Sequence, residues 1–263
     1  MSCGNEGLAH SARATGLACC IEKDISVKQP KTIQSSTDVM KEEGKIEANA
    51  VFPGVFRIGN RLATKNKVPG HSTYGEELVR IDGIEYRYWN PYRSKLAAAI
   101  LKGLKEFHII SNSNLLYLGA ATGTTCSHVS DIACDGVIYC VEISEQSMQK
   151  LLKECEIRDN MLPYLKDARN VEAYASEIGK VDIIYQDVSA RDQAEILIRN
   201  SQLLRSNGYA YVAIKSQSID VAKPQQLVYK EFLKKTSSIF KVIETIDIMP
   251  YDKSHLFAVM RKL

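Results

Sequence analysis

Residues 115–125 read LLYLGAATGTT. An apolar run of strand length breaks into alanines, glycines and threonines, and SHVSDIA (127–133) just beyond has the spacing of a helix start. The small residues therefore form a strand-to-helix turn. Glycines at 119 and 123 carry no Cβ, so main-chain N–H groups in such a turn are able to approach a ligand closely. The spacing is GxxxG rather than the GxGxxG of dinucleotide sites, so taken alone the loop is equally well a plain tight turn.

The residues that follow raise its value. The next apolar run, GVIYCVE (136–142), ends in Glu142, 142 − 119 = 23 residues after Gly119, close to the roughly 20 expected of an acid that holds ribose hydroxyls. MLPYLKDAR (161–169) places Asp167 after a third run, and VDIIYQDVS (181–189) places Asp187 after a fourth. Ligands of open α/β sheets bind beyond the carboxyl ends of the strands, so these positions line one crevice. Any one of the acids is by itself an ordinary turn or cap residue.

Upstream, VFPGVFRIGNRLATKNKVPG (51–70) and YGEELVRIDGIEYRYW (74–89) are short β-like runs broken by Gly, Pro and Asn, with a D-G turn at Asp82 and Gly83. WNPYRSKLAAAILKGLK (89–105) then changes to helical spacing, with Asn90 as cap and Pro91 in the first turn. Strands and helices alternate to the end of the chain, which implies an α/β fold with a mainly parallel sheet. The expected organisation is a poorly ordered extension over 1–48, a small antiparallel β domain over 49–89 and an α/β domain over 90–263. Residues 1–48 are polar and mixed in character and carry no usable motif.

Composition narrows the function class without deciding it. Of 263 residues 45% are hydrophobic, enough for a substantial core, and the formal charge of +3 is too small to diagnose nucleic-acid binding. No stretch reaches about 18 uninterrupted apolar residues and no secretory signal is legible, so the expectation is a soluble protein without a membrane. Seven cysteines, with an adjacent pair at Cys19 and Cys20 but no matched CxxC pairs, read as reduced thiols with no metal site.

YLGAATGTTCSHVSDI (117–132), YRYWNPYRSKLAAAI (86–100), IKSQSIDV (214–221) and PYDKSH (250–255) resemble the fibrillarin family over roughly residues 50–263. The resemblance implies a Rossmann-like S-adenosylmethionine-dependent methyltransferase fold with a small N-terminal antiparallel β domain. It implies guide-RNA-directed ribose 2′-O-methylation of rRNA or tRNA. The implied partners are a C/D-box guide RNA, a Nop-type scaffold protein and a kink-turn-binding ribosomal-type protein. By the same resemblance, Gly119 and Ala120 belong to the cofactor loop and Thr124 and Thr125 meet the methionine part of S-adenosyl-L-methionine. Glu142 and Ile143 meet its ribose, Asp167 and Ala168 its adenine, and Asp187, Val188, Ser189 and Ala190 close the site beside the sulfonium. The wording of AEILIRN (194–200) and KSQSIDV (215–221) is closer to archaeal members, which implies a cytoplasmic protein; a eukaryotic source would make it nucleolar.

A ribose 2′-hydroxyl is a weak acid and a poor nucleophile, so it needs positioning in line with the methyl group and a group to take its proton. Similar ribose methyltransferases use a Lys, Asp, Lys constellation, matched here by Lys95, Asp187 and Lys215, with His255 as a fourth member. Lys215 at a strand end is the expected base, because a neighbouring cation and partial desolvation favour its neutral form. Each has a plainer explanation: Lys95 snorkels from an amphipathic helix, and His255 lies in a surface turn. The chain departs from the family at Ser189, Ala190 and Arg191, where DVAQP is common after the aspartate. It also has Gln217 for an arginine and Ser254 for an acid.

Arg87, Arg93, Lys95 and Lys102, with Lys65 and Lys67, are the candidate phosphate contacts. Tyr86, Tyr88, Trp89 and Tyr92 either stack on bases or join the small sheet to the first helix. Three classes remain open at this point: a guided RNA methyltransferase, an inactive structural subunit of the same particle, and a nicotinamide oxidoreductase, against which the missing GxGxxG counts. A small-molecule or protein methyltransferase is a further possibility.

Overall fold

The computed structural model describes residues 47–263. The N-terminal extension, apart from its last residues, and the Cys19–Cys20 pair lie outside the described residues; the four described cysteines are free thiols. No described helix is long and apolar enough to cross a membrane.

Five strands, β1 (Ala48–Phe52), β2 (Val55–Ile58), β3 (Arg61–Lys65), β4 (Leu78–Ile81) and β5 (Ile84–Trp89), form an antiparallel sheet in the order β1-β2-β3-β5-β4. The Asp82-Gly83 turn closes the β4–β5 hairpin between the paired Ile81 and Ile84, with positive φ at both turn residues. That is the backbone a two-residue hairpin of matching twist requires.

Helix α1 (Lys95–Leu101) begins later than its sequence implies. Ser94, not Asn90, is its cap: the Ser94 hydroxyl accepts from Ala97 N–H at 3.4 Å. Asn90 instead folds a separate turn, its Oδ1 accepting from Tyr92 N–H and its carbonyl from Arg93 N–H. A side-chain oxygen that bonds two residues ahead builds an Asx turn, and here the turn holds Pro91 outside the helix. The correction matters because it makes Lys95 the first residue of α1.

After α1 come β6 (Leu115–Leu118), α2 (Thr124–Ile132), β7 (Ile138–Glu142), α3 (Glu145–Ile157), β8 (Met161–Leu165), α4 (Ala175–Ile178), β9 (Val181–Gln186), α5 (Gln193–Asn200) and β10 (Leu204–Lys215). The chain ends with α6 (Ser216–Ile219), α7 (Gln225–Thr236), β11 (Phe240–Asp247) and β12 (His255–Lys262). The seven-stranded sheet runs β11-β12-β10-β9-β6-β7-β8, parallel from β10 to β8 and antiparallel at the β11–β12–β10 edge. This is the Rossmann-like α/β fold that the sequence implies.

Strand β6 shows why the sheet reads as unbroken apolar runs. Leu115 and Tyr117 enter the core on one face, Leu116 and Leu118 the core on the other, and all four are buried. Each buried leucine contributes roughly 1.5–3 kcal/mol of transfer free energy. The first of these cores also holds Val55, Leu62 and Trp89 of the antiparallel sheet together with Ala97 and Ala99 of α1 and Val129 of α2. The small sheet thus shares its core with the helices on one face of the large one.

A buried ionic network crosses the same contact. Arg87 on β5 reaches Glu76 (Nη2–Oε1 2.6 Å) and Asp131 on α2 (Nη1–Oδ2 2.9 Å). Arg158 takes the other oxygen of Asp131 at 2.7 Å. His128 stacks on Trp89 with ring centroids 4.9 Å apart and bonds Thr64 and Tyr74 at 2.8 Å each. Thr64 gives its single hydroxyl proton to Asp131, so His128 Nδ1–H donates to Thr64 and Nε2 accepts from Tyr74.

Candidate active site

The strand order sets β10, β9, β6, β7 and β8 side by side, and their carboxyl ends open on a cavity of about 370 Å³. That volume falls within the roughly 300–1,000 Å³ of small-molecule sites. Lys95, Asp187, Ser189 and Lys215 line it toward β9 and β10; Glu142, Lys166, Asp167 and Arg169 line it toward β7 and β8.

Two lysines from different elements converge on one carboxylate. Lys95 Nζ, from the first turn of α1, donates to Asp187 Oδ2 at 3.0 Å. Lys215, at the end of the inner strand β10, donates to the Asp187 main-chain carbonyl at 2.8 Å and to Ser189 Oγ at 3.1 Å. Its Nζ also stands 2.7 Å from Asp187 Oδ1, an ion contact outside hydrogen-bond geometry. Lys215 is 9% exposed, and a lysine that deep persists because a carboxylate and further acceptors meet it.

Gly119 explains the loop at the centre. Its φ is +80°, and a Cβ there would lie 2.9 Å from the Asp187 carbonyl oxygen. The main chains after β6 and β9 therefore pass each other with no room for a side chain. Gly123, at φ +87°, caps α2. Glu142 ties the loop to the next strand: Oε2 accepts from Ala121 N–H at 2.7 Å and Oε1 from Ser144 N–H at 2.8 Å. Each oxygen keeps a lone pair, so the fixed carboxylate retains capacity for a diol. Asp167 Oδ1 accepts from Arg169 N–H at 2.9 Å, and the Arg169 guanidinium spans Asp167 and Asp192.

Residues 45–262 match the fibrillarin family model. A fibrillarin-like rRNA/tRNA 2′-O-methyltransferase of Thermococcus onnurineus is 46% identical over 218 residues, 80% of this chain and 96% of that protein. The chain belongs to the fibrillarin family. Aeropyrum pernix fibrillarin, solved with natively bound S-adenosyl-L-methionine, superposes with a TM-score of 0.75 at 41% identity, covering 82% of this chain and 99% of that one. Fibrillarin from a complex with Nop5p superposes with a TM-score of 0.74 at 38% identity, covering 80% and 98%.

Within this chain, Gly119, Glu142, Ile143, Asp167, Ala168, Asp187, Val188, Ser189 and Ala190 all line the cavity, as do Lys95 and Lys215. Ala120, Thr124 and Thr125 do not: Thr125 is buried and donates to Ser94 Oγ at 3.1 Å, joining α2 to the cap of α1. The cavity walls Ala121, Val141, Ser147, Lys166, Arg169 and Ile196 were not singled out from sequence. Lys166 and Arg169 flank Asp167, and that adjacency was the available signal.

His255 pairs with Lys215 across the β10–β12 ladder. Burial lowers its pKa below the ordinary imidazole value; Asp252 opposes this, and the charges of Lys95 and Lys215 add to it. Of the departures from the family, Ser189 contributes a hydroxyl to Lys215, and Gln217 is exposed.

Arg87 is not a phosphate contact. It is fully buried and both its carboxylate partners are internal, because the small sheet buries it against α2. Lys67 is likewise engaged, with the Cys134 carbonyl and Asp159. Arg93, Lys102 and Lys65 are exposed. Trp89 and Tyr86 are core, Tyr88 lies under Arg61 at 3.4 Å, and Tyr92 is exposed.

Proposed function

We propose that this chain is the catalytic subunit of a C/D-box ribonucleoprotein that methylates ribose 2′-hydroxyls of rRNA or tRNA. The convergence of Lys95 and Lys215 on Asp187 inside a cavity that also presents Glu142 and Asp167 carries the reading. The name of the Thermococcus relative gives the reaction, the Aeropyrum fibrillarin the cofactor, and the Nop5p complex the kind of scaffold. The guide RNA and the kink-turn-binding protein complete the assembly on the strength of the family resemblance.

The residues present suit S-adenosyl-L-methionine. A fixed Glu142 carboxylate with spare lone pairs fits a ribose diol, Asp167 fits an adenine amino edge, and the side-chain-free crossing at Gly119 admits a ligand between strand ends. When bound, the cofactor supplies an electrophilic methyl group on a sulfonium.

The chain's own groups handle the nucleophile. A 2′-hydroxyl entering beside Asp187 meets a carboxylate that Lys95 and Lys215 hold from both oxygens. Asp187 orients the hydroxyl, Lys95 holds the Asp187 carboxylate in place, and Lys215 is the group that receives the hydroxyl proton. Exposed Arg93, Lys65 and Lys102 contact RNA phosphates, while sequence choice rests with guide pairing.

Calorimetric titration of the purified chain with S-adenosyl-L-methionine, with NAD as control, is the first test. Saturable binding of the sulfonium alone, followed by methyl transfer in the reconstituted guided particle, is expected. Binding of neither compound would move the reading to a structural subunit.

A further inference from the structure

The end of the cavity toward β8 carries a second ionic cluster, separate from the one at Asp187. All three side-chain nitrogens of Arg169 are engaged in it. Nε and Nη2 donate to Asp192 at 2.9 Å and 3.0 Å, a two-point grip on both carboxylate oxygens. Nη1 reaches Asp167 Oδ2 at 3.3 Å. Asp167 Oδ1 also takes the Arg169 main-chain N–H at 2.9 Å, so Oδ2 is the less engaged oxygen and keeps a lone pair for a ligand donor. Asp192 stands just before α5, where an aspartate ordinarily caps the helix, yet it makes no side-chain capping hydrogen bond. Its carboxylate is given to Arg169 instead, and the hydrogen bonds from Arg169 hold its pKa below the ordinary carboxylate value, against the desolvation that raises it. The main chain beneath is fixed as well. Arg199 donates to the Arg169 carbonyl at 3.2 Å, and Asn200 and Tyr174 donate to the Ala168 carbonyl at 2.9 Å and 3.3 Å. Exposed ion pairs are ordinarily worth little, but a bidentate arginine within a network is the exception.

We propose that the bridge from Asp167 through Arg169 to Asp192 selects the nucleobase of the cofactor, admitting an amino purine and rejecting an oxo purine, with Arg169 and Asp192 as its positioning residues. The idea rests on the S-adenosyl-L-methionine reading above and names, within it, what sets the choice of base. An ionised carboxylate only accepts, so Asp167 Oδ2 pairs with an amino N–H and opposes a carbonyl oxygen. Arg169 by itself would undo that choice, because a guanidinium that swung toward the ligand would donate to an oxo group as readily as to a carboxylate. Asp192 prevents the swing by occupying Nε and Nη2. The remaining nitrogen, with the Arg169 main-chain N–H, then holds the Asp167 carboxylate in one orientation. Discrimination therefore needs both residues, although Asp167 alone meets the base.

Calorimetric titration of the full chain with S-adenosylhomocysteine and with its inosine counterpart, S-inosylhomocysteine, tests this without turnover. The wild type should bind the adenosyl compound about tenfold to hundredfold more tightly, the worth of one hydrogen bond to a charged group. Asp192→Ala should bring the ratio toward one chiefly by tightening the inosyl compound, as the released guanidinium turns to its oxo group. Arg169→Ala should lower the ratio by the other route, weakening the adenosyl compound. Arg169→Lys keeps the charge but loses the planar fork that spans two acids, and should follow Arg169→Ala. A bridge with a merely structural role would weaken both compounds alike in every variant and leave the ratio at its wild-type value. That result overturns the proposal, and so does a wild type that binds the two compounds equally well. If an alanine variant does not fold, the wild-type ratio and the Arg169→Lys ratio decide it. Binding of neither compound by the wild type would sink the S-adenosyl-L-methionine reading together with the proposal, whereas equal binding of both sinks the proposal alone.

Discussion

Lys215 and Asp187 meet twice, the ammonium bonding the aspartate's main-chain carbonyl at 2.8 Å and standing 2.7 Å from its carboxylate. One lysine therefore fixes both the main chain after β9 and the acid it carries. Lys215→Met should lower methyl transfer by about 10²–10⁴-fold, the range for a general acid–base group. Single-turnover rates in the reconstituted particle check this, and a rate within threefold of wild type would remove Lys215 from the chemistry. Lys215→Arg should fail too, because a planar fork does not reproduce a compact ammonium with acceptors on three sides.

Asp187→Asn separates charge from shape. The amide keeps the size of the side chain but no longer compensates Lys95 and Lys215, leaving two partly buried cations side by side. Methyl transfer should be lost while the far-ultraviolet circular dichroism spectrum stays unchanged. Full activity would sink the proposed site.

At Gly119 the added atom of Gly119→Ala has nowhere to go, since the Asp187 carbonyl is 2.9 Å from it and φ is +80°. Residues held in such backbone regions cost about 1–3 kcal/mol each. The variant should melt several degrees lower and bind S-adenosyl-L-methionine more weakly, because the strand ends it separates form the cavity wall. Unchanged melting and affinity would show that the β6 and β9 ends have room to part.

What was legible in the sequence followed from local physics. A strand buried on both faces has no polar alternation, so LLYL declared itself, and the small residues after it could only be a turn. The acids at strand ends were visible because parallel strands all present the same end to a ligand. What the sequence hid was partnership across distance. Glu142 is fixed by main-chain donors, Ala121 and Ser144, which leave no trace in residue type. Arg87 looked like a surface cation because its partners lie 11 and 44 residues away. The start of α1 was misplaced because Asn-Pro is a strong cap signal, yet Asn90 uses its oxygen in the preceding turn.

Arg87 supplies a stability prediction. Arg87→Met leaves Glu76 with a buried charge and Asp131 with one arginine instead of two, and breaking such a pair costs about 3–5 kcal/mol. Adding Glu76→Gln should recover part of the loss by removing the uncompensated charge. Denaturant unfolding of both singles and the double measures the coupling, and additive losses would mean that the pair is not coupled.

Acid should weaken the fold through His128. Burial, then the charges of Arg87 and Arg158, hold its pKa well below 6.5. The unfolded ring therefore binds a proton in a pH range where the folded ring stays neutral. Stability rises with pH wherever the unfolded state holds more protons, so it is lost as pH falls below about 6.5, by at most about 1.4 kcal/mol per pH unit from this group. Glu76 acts in the same direction: burial opposes ionisation, but Arg87 and main-chain donors still lower its carboxyl pKa, so its contribution is lost as pH falls through that folded value. Urea unfolding at pH 7 and pH 5 should show a clear drop for the wild type. His128→Gln gives up the titrating ring and its stacking on Trp89; it should start less stable at pH 7 and lose less on acidification. Equal losses in the two proteins would show that His128 titrates as freely in the fold as in the unfolded chain.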